Sequence, residues 1–351
     1  MPKKDSKDFI KINRTLFWIF LLGLTFAVAF LIRIFFNSQK TLYYELNGFT
    51  MGTYYRIVVA SSKVESKQLA EIIFKELDRI YKKYNPKDPE SVVWKINSSN
   101  DWVDLDEETF VIVDSALKFA ELTNGAFDPA LGTLISLWGF DRLDEKIPSK
   151  IPPDEAIKKA LEQSGYKNVE LDGRTRRIRL HNNVKLDLGG IVKGYALDRA
   201  YQIAKEIDPS CTGFIEVGGD IRILGPKFGS RPWVVGVRDP FSPSKAVTYF
   251  YMTSGAVATS GDYERYFVYE NKKYHHIIDP KTGYPAQGVT SATVISEDAI
   301  TADALSTAAF VSGADWEYVI LEYPKIGGIV LLISHDGTVK KSSAIKAYEK
   351  R

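Results

Sequence analysis

The sequence predicts an α+β fold, and three observations carry that expectation. Short runs rich in Val, Ile and Tyr, bounded by glycine or proline, recur along the chain. They come in blocks, with helical patterns between them at irregular intervals, which argues against a doubly wound sheet. No short internal period is present, so a repeat architecture is not expected. At 351 residues, 45% hydrophobic and 26% charged, the chain suffices for one large domain or two smaller ones. A net charge of +2 gives no electrostatic reason to expect nucleic acid as a partner. The single cysteine, Cys211, excludes an internal disulfide and a Cys-rich metal cluster.

The N-terminus stands apart. Leu16 to Ile32 is uncharged and almost wholly apolar, with Thr25 its only polar residue, and Ile34 to Phe36 extend it past Arg33. About 20 residues cross a bilayer as a helix. Lys3, Lys4, Lys7, Lys11 and Arg14 precede the run, and only Arg33 and Lys40 follow closely. This asymmetry predicts a single transmembrane helix with a cytoplasmic N-terminus. Ala27-Val28-Ala29 resembles a signal-peptidase site, but the apolar run continues beyond it, which favours an uncleaved anchor. The expected division is therefore 1–40 as N-terminus and anchor, and 41–351 as the folded domain.

Within that domain, Thr41 to Leu46 and Thr53 to Ala60 read as strands separated by Asn-Gly-Phe-Thr-Met-Gly. Val64 to Tyr84 carries Leu69, Ile72, Ile73, Leu77 and Ile80 at helical spacing. Glu107 to Leu122 is a second amphipathic helix, stopped by Asn124-Gly125. Leu134 to Phe140 ends in Leu-Trp-Gly-Phe, whose ordinary role is to plug a core. Ile147 to Pro153 is an exposed connection, Asp154 to Ser164 a helix, and strands are expected near Val169, Ile178 and Leu186. Gly213 to Val217, Ile221 to Leu224, Trp233 to Arg238 and Val247 to Thr253 are successive strands. Tyr263 to Tyr269 and Lys273 to Ile278 form a hairpin around Glu270-Asn271. Ser291 to Ile295, helices Asp298 to Ser312 and Trp316 to Tyr323, and strands Ile329 to Ser334 and Val339 to Ser343 complete the sheet.

Three stretches can carry chemistry. In Lys185 to Ala200 an apolar run, Val184 to Leu188, meets a glycine pair and then a helical pattern. Strand, glycine turn and helix start together aim backbone N–H groups at an anion. Asp187 and Lys193 flank the turn, so metal and phosphate both suit it; its ordinary role is a tight turn with surface charges. Asp303 and Thr307 lie four apart on a predicted helix and share a face, bordered by Ser306. A carboxylate with hydroxyls, and no Cys or His, suits a hard cation such as Mg²⁺. Alone, these residues read as an ordinary first-turn Asp with helix-facing hydroxyls. His275-His276 stand at a strand end before Asp279, a turn-capping aspartate, and point to opposite faces, so one of them faces any given site. Thr259 to Tyr263 and Gly218-Gly219-Asp220 read as polar turns.

Taken in order, these blocks resemble the FAD:protein FMN transferases, the ApbE-type flavin transferases, over about residues 45 to 345. The matching blocks are Met51-Gly-Thr53, Gly125-Ala-Phe-Asp-Pro129, Leu137-Trp-Gly-Phe140, Asp187-Leu-Gly-Gly-Ile-Val-Lys-Gly-Tyr-Ala196 and Val217-Gly-Gly-Asp220. They continue with Thr259-Ser-Gly-Asp-Tyr263, His276-Ile-Ile-Asp-Pro280, Thr282-Gly-Tyr-Pro285 and Ala302-Asp303 to Thr307.

The resemblance implies a domain of mixed sheets and packed helices behind the anchor. It implies that FAD is the substrate, cleaved so that FMN passes to a Thr or Ser hydroxyl of an acceptor protein and AMP leaves. Acceptors carry Asp-x-x-Ser/Thr-Gly-Ala-Ser/Thr and include membrane redox-pump subunits. Met51, Tyr84, Ala126, Phe127, Asp128, Asp187, Lys193 and Ile278 are the implied FAD contacts. The Gly190 carbonyl with Asp303, Ser306 and Thr307 is the implied Mg²⁺ site. His276 is the candidate base, from its strand-end position and its block. The expected location is the inner or plasma membrane, with the catalytic domain outside the cytoplasm. A Mg²⁺-dependent FAD pyrophosphatase shares every one of these residues and stays open; a non-catalytic flavin-binding surface protein fits less well, because Asp303 and Thr307 are both present.

Overall fold

The computed structural model describes residues 43–141 and 150–349, together with Leu22 and Thr25. The chain divides into two units, Met1–Leu42 and Tyr43–Arg351, and the second is the folded domain. The expected membrane span falls outside the described residues; among those described, no helix is long and apolar enough to cross a membrane.

An eight-stranded sheet organises the domain. In chain order its strands are β1 (Tyr44–Thr50), β2 (Thr53–Ala60), β6 (Thr212–Val217), β7 (Asp220–Gly225), β10 (Ala256–Gly261), β13 (Ser291–Ser296), β14 (Ile329–Ile333) and β15 (Val339–Lys341), and they lie side by side in that same order. The expectation of mixed sheets narrows, because every strand pairing in this sheet is antiparallel among the described residues. β1 runs four residues past its expected end. The hairpin closes on Met51-Gly52 alone, both at positive φ (53° and 71°), with Thr50 opposite Thr53.

One face of the sheet carries three helices, α1 (Ser66–Tyr84), α6 (Val192–Ile207) and α7 (Ala299–Val311). The other carries the hairpin of β8 (Trp233–Arg238) and β9 (Ala246–Met252). The central strands alternate accordingly: Ala256 and Ala258 join the helix-side core, while Val257 joins Ile223, Val235, Phe250 and Leu331 behind the sheet. A third cluster stacks Trp138 of α4 (Gly132–Trp138) on Tyr274 of β12 (Lys272–His275), with Phe140 and with Phe267 of β11 (Tyr266–Tyr269) beside them. The Leu-Trp-Gly-Phe block is thus a core plug. The β11–β12 turn is Glu270-Asn271 as expected, both at positive φ.

Smaller elements complete the chain: α2 (Val92–Ser98), α3 (Glu107–Leu122), α5 (Asp154–Glu162), α8 (Trp316–Glu322) and a small sheet of β3 (Val103–Asp104), β5 (Arg177–Leu180) and β4 (Val169–Asp172). Two expectations are corrected. Thr259 to Gly261 is not a turn but the end of β10, a central strand. The run around Leu186 is extended yet pairs with no strand, because Asn97 of α2 serves its backbone. The Asn97 Nδ2 donates to the Leu186 carbonyl at 2.9 Å and its Oδ1 accepts from the Leu186 N–H at 2.7 Å. The Asp187 N–H donates to the Pro129 carbonyl at 2.8 Å. These backbone groups are satisfied without a ladder.

Helices α6 and α7 meet at Gly194. A Cβ there would stand 2.2 Å from the Ala299 carbonyl oxygen and 2.8 Å from the Asp303 Cβ. Helix propensity alone predicts that Gly194→Ala stabilises by about 1 kcal/mol. Overpacking against a backbone carbonyl instead costs about 1–3 kcal/mol or more, so the clash wins. Gly194→Ala is expected to lower Tm in thermal unfolding; an unchanged or raised Tm would show that the two helices separate without penalty.

Candidate functional site

The front of the sheet opens into a cavity of about 370 Å³ beside the N-terminus of α6. Its lip is the Met51-Gly52 turn of the β1–β2 hairpin. Tyr84, the last residue of α1, closes one side, its ring edge-on to Tyr195 at 6.3 Å. Ala126, Phe127 and Asp128 follow α3, whose end is set by Gly125 at positive φ donating to the Ala120 carbonyl at 2.7 Å. Ile278 and His276 come from the strand end after β12. Twelve of the thirteen residues expected at the site line this one cavity: Met51, Tyr84, Ala126, Phe127, Asp128, Asp187, Gly190, Lys193, His276, Ile278, Asp303 and Thr307. The exception is Ser306. It is 1% exposed, and its Oγ donates to the Asp303 carbonyl one helical turn back at 2.9 Å, so it lies beneath the floor.

The glycine turn owes its shape to Asp187, whose Oδ1 accepts the Gly189 N–H at 2.7 Å. Gly190 lets the turn approach its neighbours closely, since a Cβ there would stand 3.2 Å from the Phe127 ring and 3.3 Å from Thr307 Oγ1. That approach sets the Gly190 backbone beside the Thr307 hydroxyl, and both line the cavity together with Asp303. The donors are all oxygen, as a hard cation prefers. Among the described residues no group of three His, Cys, Asp or Glu could hold a metal ion, so a cation here would rely on one carboxylate and neutral oxygens.

Lys193 does not point simply into the cavity. Its Nζ donates to Asp220 Oδ2 at 2.6 Å and to Asp303 Oδ1 at 2.7 Å. Both carboxylates are buried, and each is held further: Thr259 N–H donates to Asp220 Oδ1 at 3.1 Å and Gly194 N–H to Asp303 Oδ2 at 2.9 Å. Burial works against the Lys193 ammonium, but the two carboxylates outweigh it and push its pKa up. Burial raises Asp220 against the pull of Lys193. Both Asp303 oxygens are thus already bonded, Oδ1 to Lys193 and Oδ2 to the Gly194 N–H.

The two histidines separate as strand geometry requires. His275 is 3% exposed, its Nε2 bonded to the Ala286 carbonyl at 2.9 Å, and burial lowers its pKa to about 4. His276 faces the cavity. Burial holds its pKa well below the usual range, with the Arg265 charge adding to the effect, so the ring is neutral at pH 7. Its Nδ1 stands 3.3 Å from the Arg265 carbonyl, which only accepts; the Nδ1–H tautomer follows, leaving the Nε2 lone pair free of that bond. Asp279 keeps its turn-capping role, accepting the Lys281 N–H at 2.8 Å.

Three residues at the site were given no role by the sequence. Arg265 lies two positions beyond the Thr259–Tyr263 block, and only its cavity position marks it; burial lowers its pKa and Asp187 opposes that. Ser260 bonds Ser306 at 2.9 Å and stands 3.4 Å from Thr307 Oγ1, tying β10 to α7. Asp220 lay within a recognised block but received no function, because its partner Lys193 is 27 residues away.

Asp128 offers a pH readout. Burial raises its pKa from 3.8 to about 6, although the Ala130 and Tyr166 N–H groups bond its oxygens at 2.8 and 3.0 Å. A raised folded-state pKa means that its contribution is fully present below the unfolded value and is lost as pH rises through about 6. Urea denaturation should show stability falling between pH 4 and about 6 from this group, and Asp128→Asn should flatten that part of the profile. An identical profile in the variant would mean that Asp128 ionises normally.

Comparisons with known proteins identify the family. The sequence model of the ApbE family matches residues 51–329. The crystal structure of the ApbE protein from Thermotoga maritima superposes with a TM-score of 0.85 at 52% identity, covering 88% of this chain and 100% of that one. The flavin transferase ApbE of Vibrio cholerae superposes at 0.75 with 28% identity, over 87% and 99% of the two chains. The FAD:protein FMN transferase of Haemophilus influenzae is 29% identical over 332 residues, 91% of this chain and 94% of that protein. That of Treponema pallidum is 35% identical over 262 residues, 69% of each. The chain belongs to the ApbE family.

Proposed function

We propose that this protein is an FAD:protein FMN transferase, which splits FAD and joins the FMN phosphate to a hydroxyl of an acceptor protein. One observation carries the reading: residues scattered from Met51 to Thr307 converge on a single cavity that holds a glycine turn, half-buried cations and a neutral histidine. The name shared by the relatives supplies the reaction, and the cavity has the chemistry for it. Met51, Tyr84, Ala126, Phe127, Asp128 and Ile278 form the flavin and nucleotide walls, while Asp187 fixes the turn.

The acceptor hydroxyl oxygen attacks the phosphorus on the FMN side. A P–O ester bond forms, the P–O bond to the adenylate phosphate breaks, and AMP leaves with that electron pair. His276 takes the hydroxyl proton at Nε2, the nitrogen its Nδ1–H tautomer leaves open. Lys193 and Arg265 provide fixed positive charge beside the phosphates. The Gly190 carbonyl, Asp303 and Thr307 are the residues that would hold Mg²⁺, which when bound neutralises phosphate-oxygen charge. Ser306 supports Thr307 through Ser260 rather than ligating. The acceptor is a protein with Asp-x-x-Ser/Thr-Gly-Ala-Ser/Thr, a membrane redox-pump subunit. The N-terminal apolar run anchors the enzyme in the inner or plasma membrane, with residues 41–351 outside the cytoplasm.

Incubating residues 41–351 with FAD, Mg²⁺ and a fragment bearing the acceptor sequence should give a covalently fluorescent fragment and one AMP per label. FMN and AMP without labelled protein would make the chain a pyrophosphatase instead. His276→Asn is expected to slow transfer by about 10²–10⁴-fold while FAD affinity holds; wild-type transfer would remove His276 from the reaction. Asp303→Asn keeps an oxygen for the Gly194 N–H, so the fold should survive. Its Mg²⁺-dependent turnover should drop at least about 100-fold, the loss expected when a group that positions transition-state charge is removed; full turnover would reject the metal assignment.

A further inference from the structure

A second cavity, of about 530 Å³, runs behind the sheet along β8. All six residues of β8 line it. Successive side chains of a strand face opposite ways, and here Val235 and Val237 turn inward to the rear core while Val234, Gly236 and Arg238 are exposed. A surface that meets both sets runs along the edge of the strand. Among the described residues β8 pairs only with β9, so that edge carries no neighbour. Pro232 and Arg238 guard the two ends of this strand, but Val234 to Val237 between them carry neither a charge nor a proline.

The groove joins the catalytic cavity, for Thr53, Gly218, Thr259 and Glu264 line both. Beside Thr53, Tyr54 is 77% exposed and its cross-strand partner Phe49 is 60% exposed, with the rings edge-on at 5.4 Å. Neither ring belongs to a core cluster. Exposed aromatic pairs of this kind are typical anchors at protein interfaces.

We propose that this groove docks the acceptor protein. An extended acceptor segment adds to the free edge of β8, is gripped by Tyr54 and Phe49, and delivers its hydroxyl past Thr53 and Gly218 into the cavity. Strand addition suits the task, because backbone hydrogen bonds hold the segment in register while leaving its side chains free to react. The proposal rests on the transferase reading, and its test separates the two.

Tyr54→Ser and Val234→Lys alter exposed side chains outside the catalytic cavity. Each is expected to raise KM for the acceptor-sequence fragment at least tenfold, with Tm, FAD affinity and kcat at saturating fragment unchanged. Leu321→Lys, at a site 65% exposed elsewhere, should change none of these. Transfer by both groove variants at the wild-type KM would overturn the groove alone. So would a dimer in light scattering that Val234→Lys dissolves without affecting transfer. A wild-type protein that splits FAD but never labels the fragment would overturn the transferase reading, and the groove with it.

Discussion

Helices α6 and α7 cap one another, and the site depends on that exchange. Asp198 of α6 accepts the first N–H groups of α7, from Ala299 at 3.0 and 2.9 Å and from Ile300 at 2.8 Å. Asp303 of α7 does the same for the first turn of α6, through Gly194 N–H at 2.9 Å. Helix N-termini leave unsatisfied donors and a positive end of the dipole, so a buried carboxylate is stabilised there. Neither helix supplies this for the other unless they cross tightly, and Gly194 is what permits the crossing. The same contact puts Asp303 next to Lys193 and opposite the Gly190 turn. The helix cap and the candidate metal carboxylate are one side chain.

The cavity lining carries more carboxylates than cations, with Asp128, Asp141, Asp187, Glu264 and Asp303 against Lys193 and Arg265. The carboxylates of Asp128, Asp187 and Asp220 all have raised pKa values, with burial the leading cause. Lys193 and Arg265 set two cations among them. Buried charges of this kind are costly to leave unpaired. Lys193 is held by Asp220 and Asp303 together, so its ammonium is fixed from both β7 and α7.

Much of the fold was legible in the sequence, for reasons that differ by element. Long amphipathic helices such as Ser66–Tyr84 and Glu107–Leu122 announce themselves by period, and the β11–β12 hairpin by Glu270-Asn271; the first hairpin was expected to turn over Asn47 to Gly52 but closes on Met51-Gly52 alone. β10 escaped because Ala256 to Gly261 is built of small residues: the strand is crowded between α7 and the β8–β9 hairpin, so bulky β-formers do not fit. The strand expected near Leu186 failed for the opposite reason. Its pattern suits a strand, but a single amide, Asn97, takes the bonds a neighbour strand would have made. The ordered blocks named twelve residues that meet at one cavity, whereas the pairing of Lys193 with Asp220 and Asp303, and the presence of Arg265, depend on packing across the chain. Ser306 shows the limit of spacing: three residues on from Asp303 it shares the face, yet its hydroxyl bonds its own helix.

The first strand also sets a distance. β1 begins where the chain enters the fold, at Tyr44, and ends at Thr50 on the lip of the cavity. Six steps of an extended strand span about 20 Å. The start of β1 therefore lies a strand's length from the Met51-Gly52 turn. β1 is a spacer within the fold, and its hydrogen-bonded pairing with β2 makes it stiff.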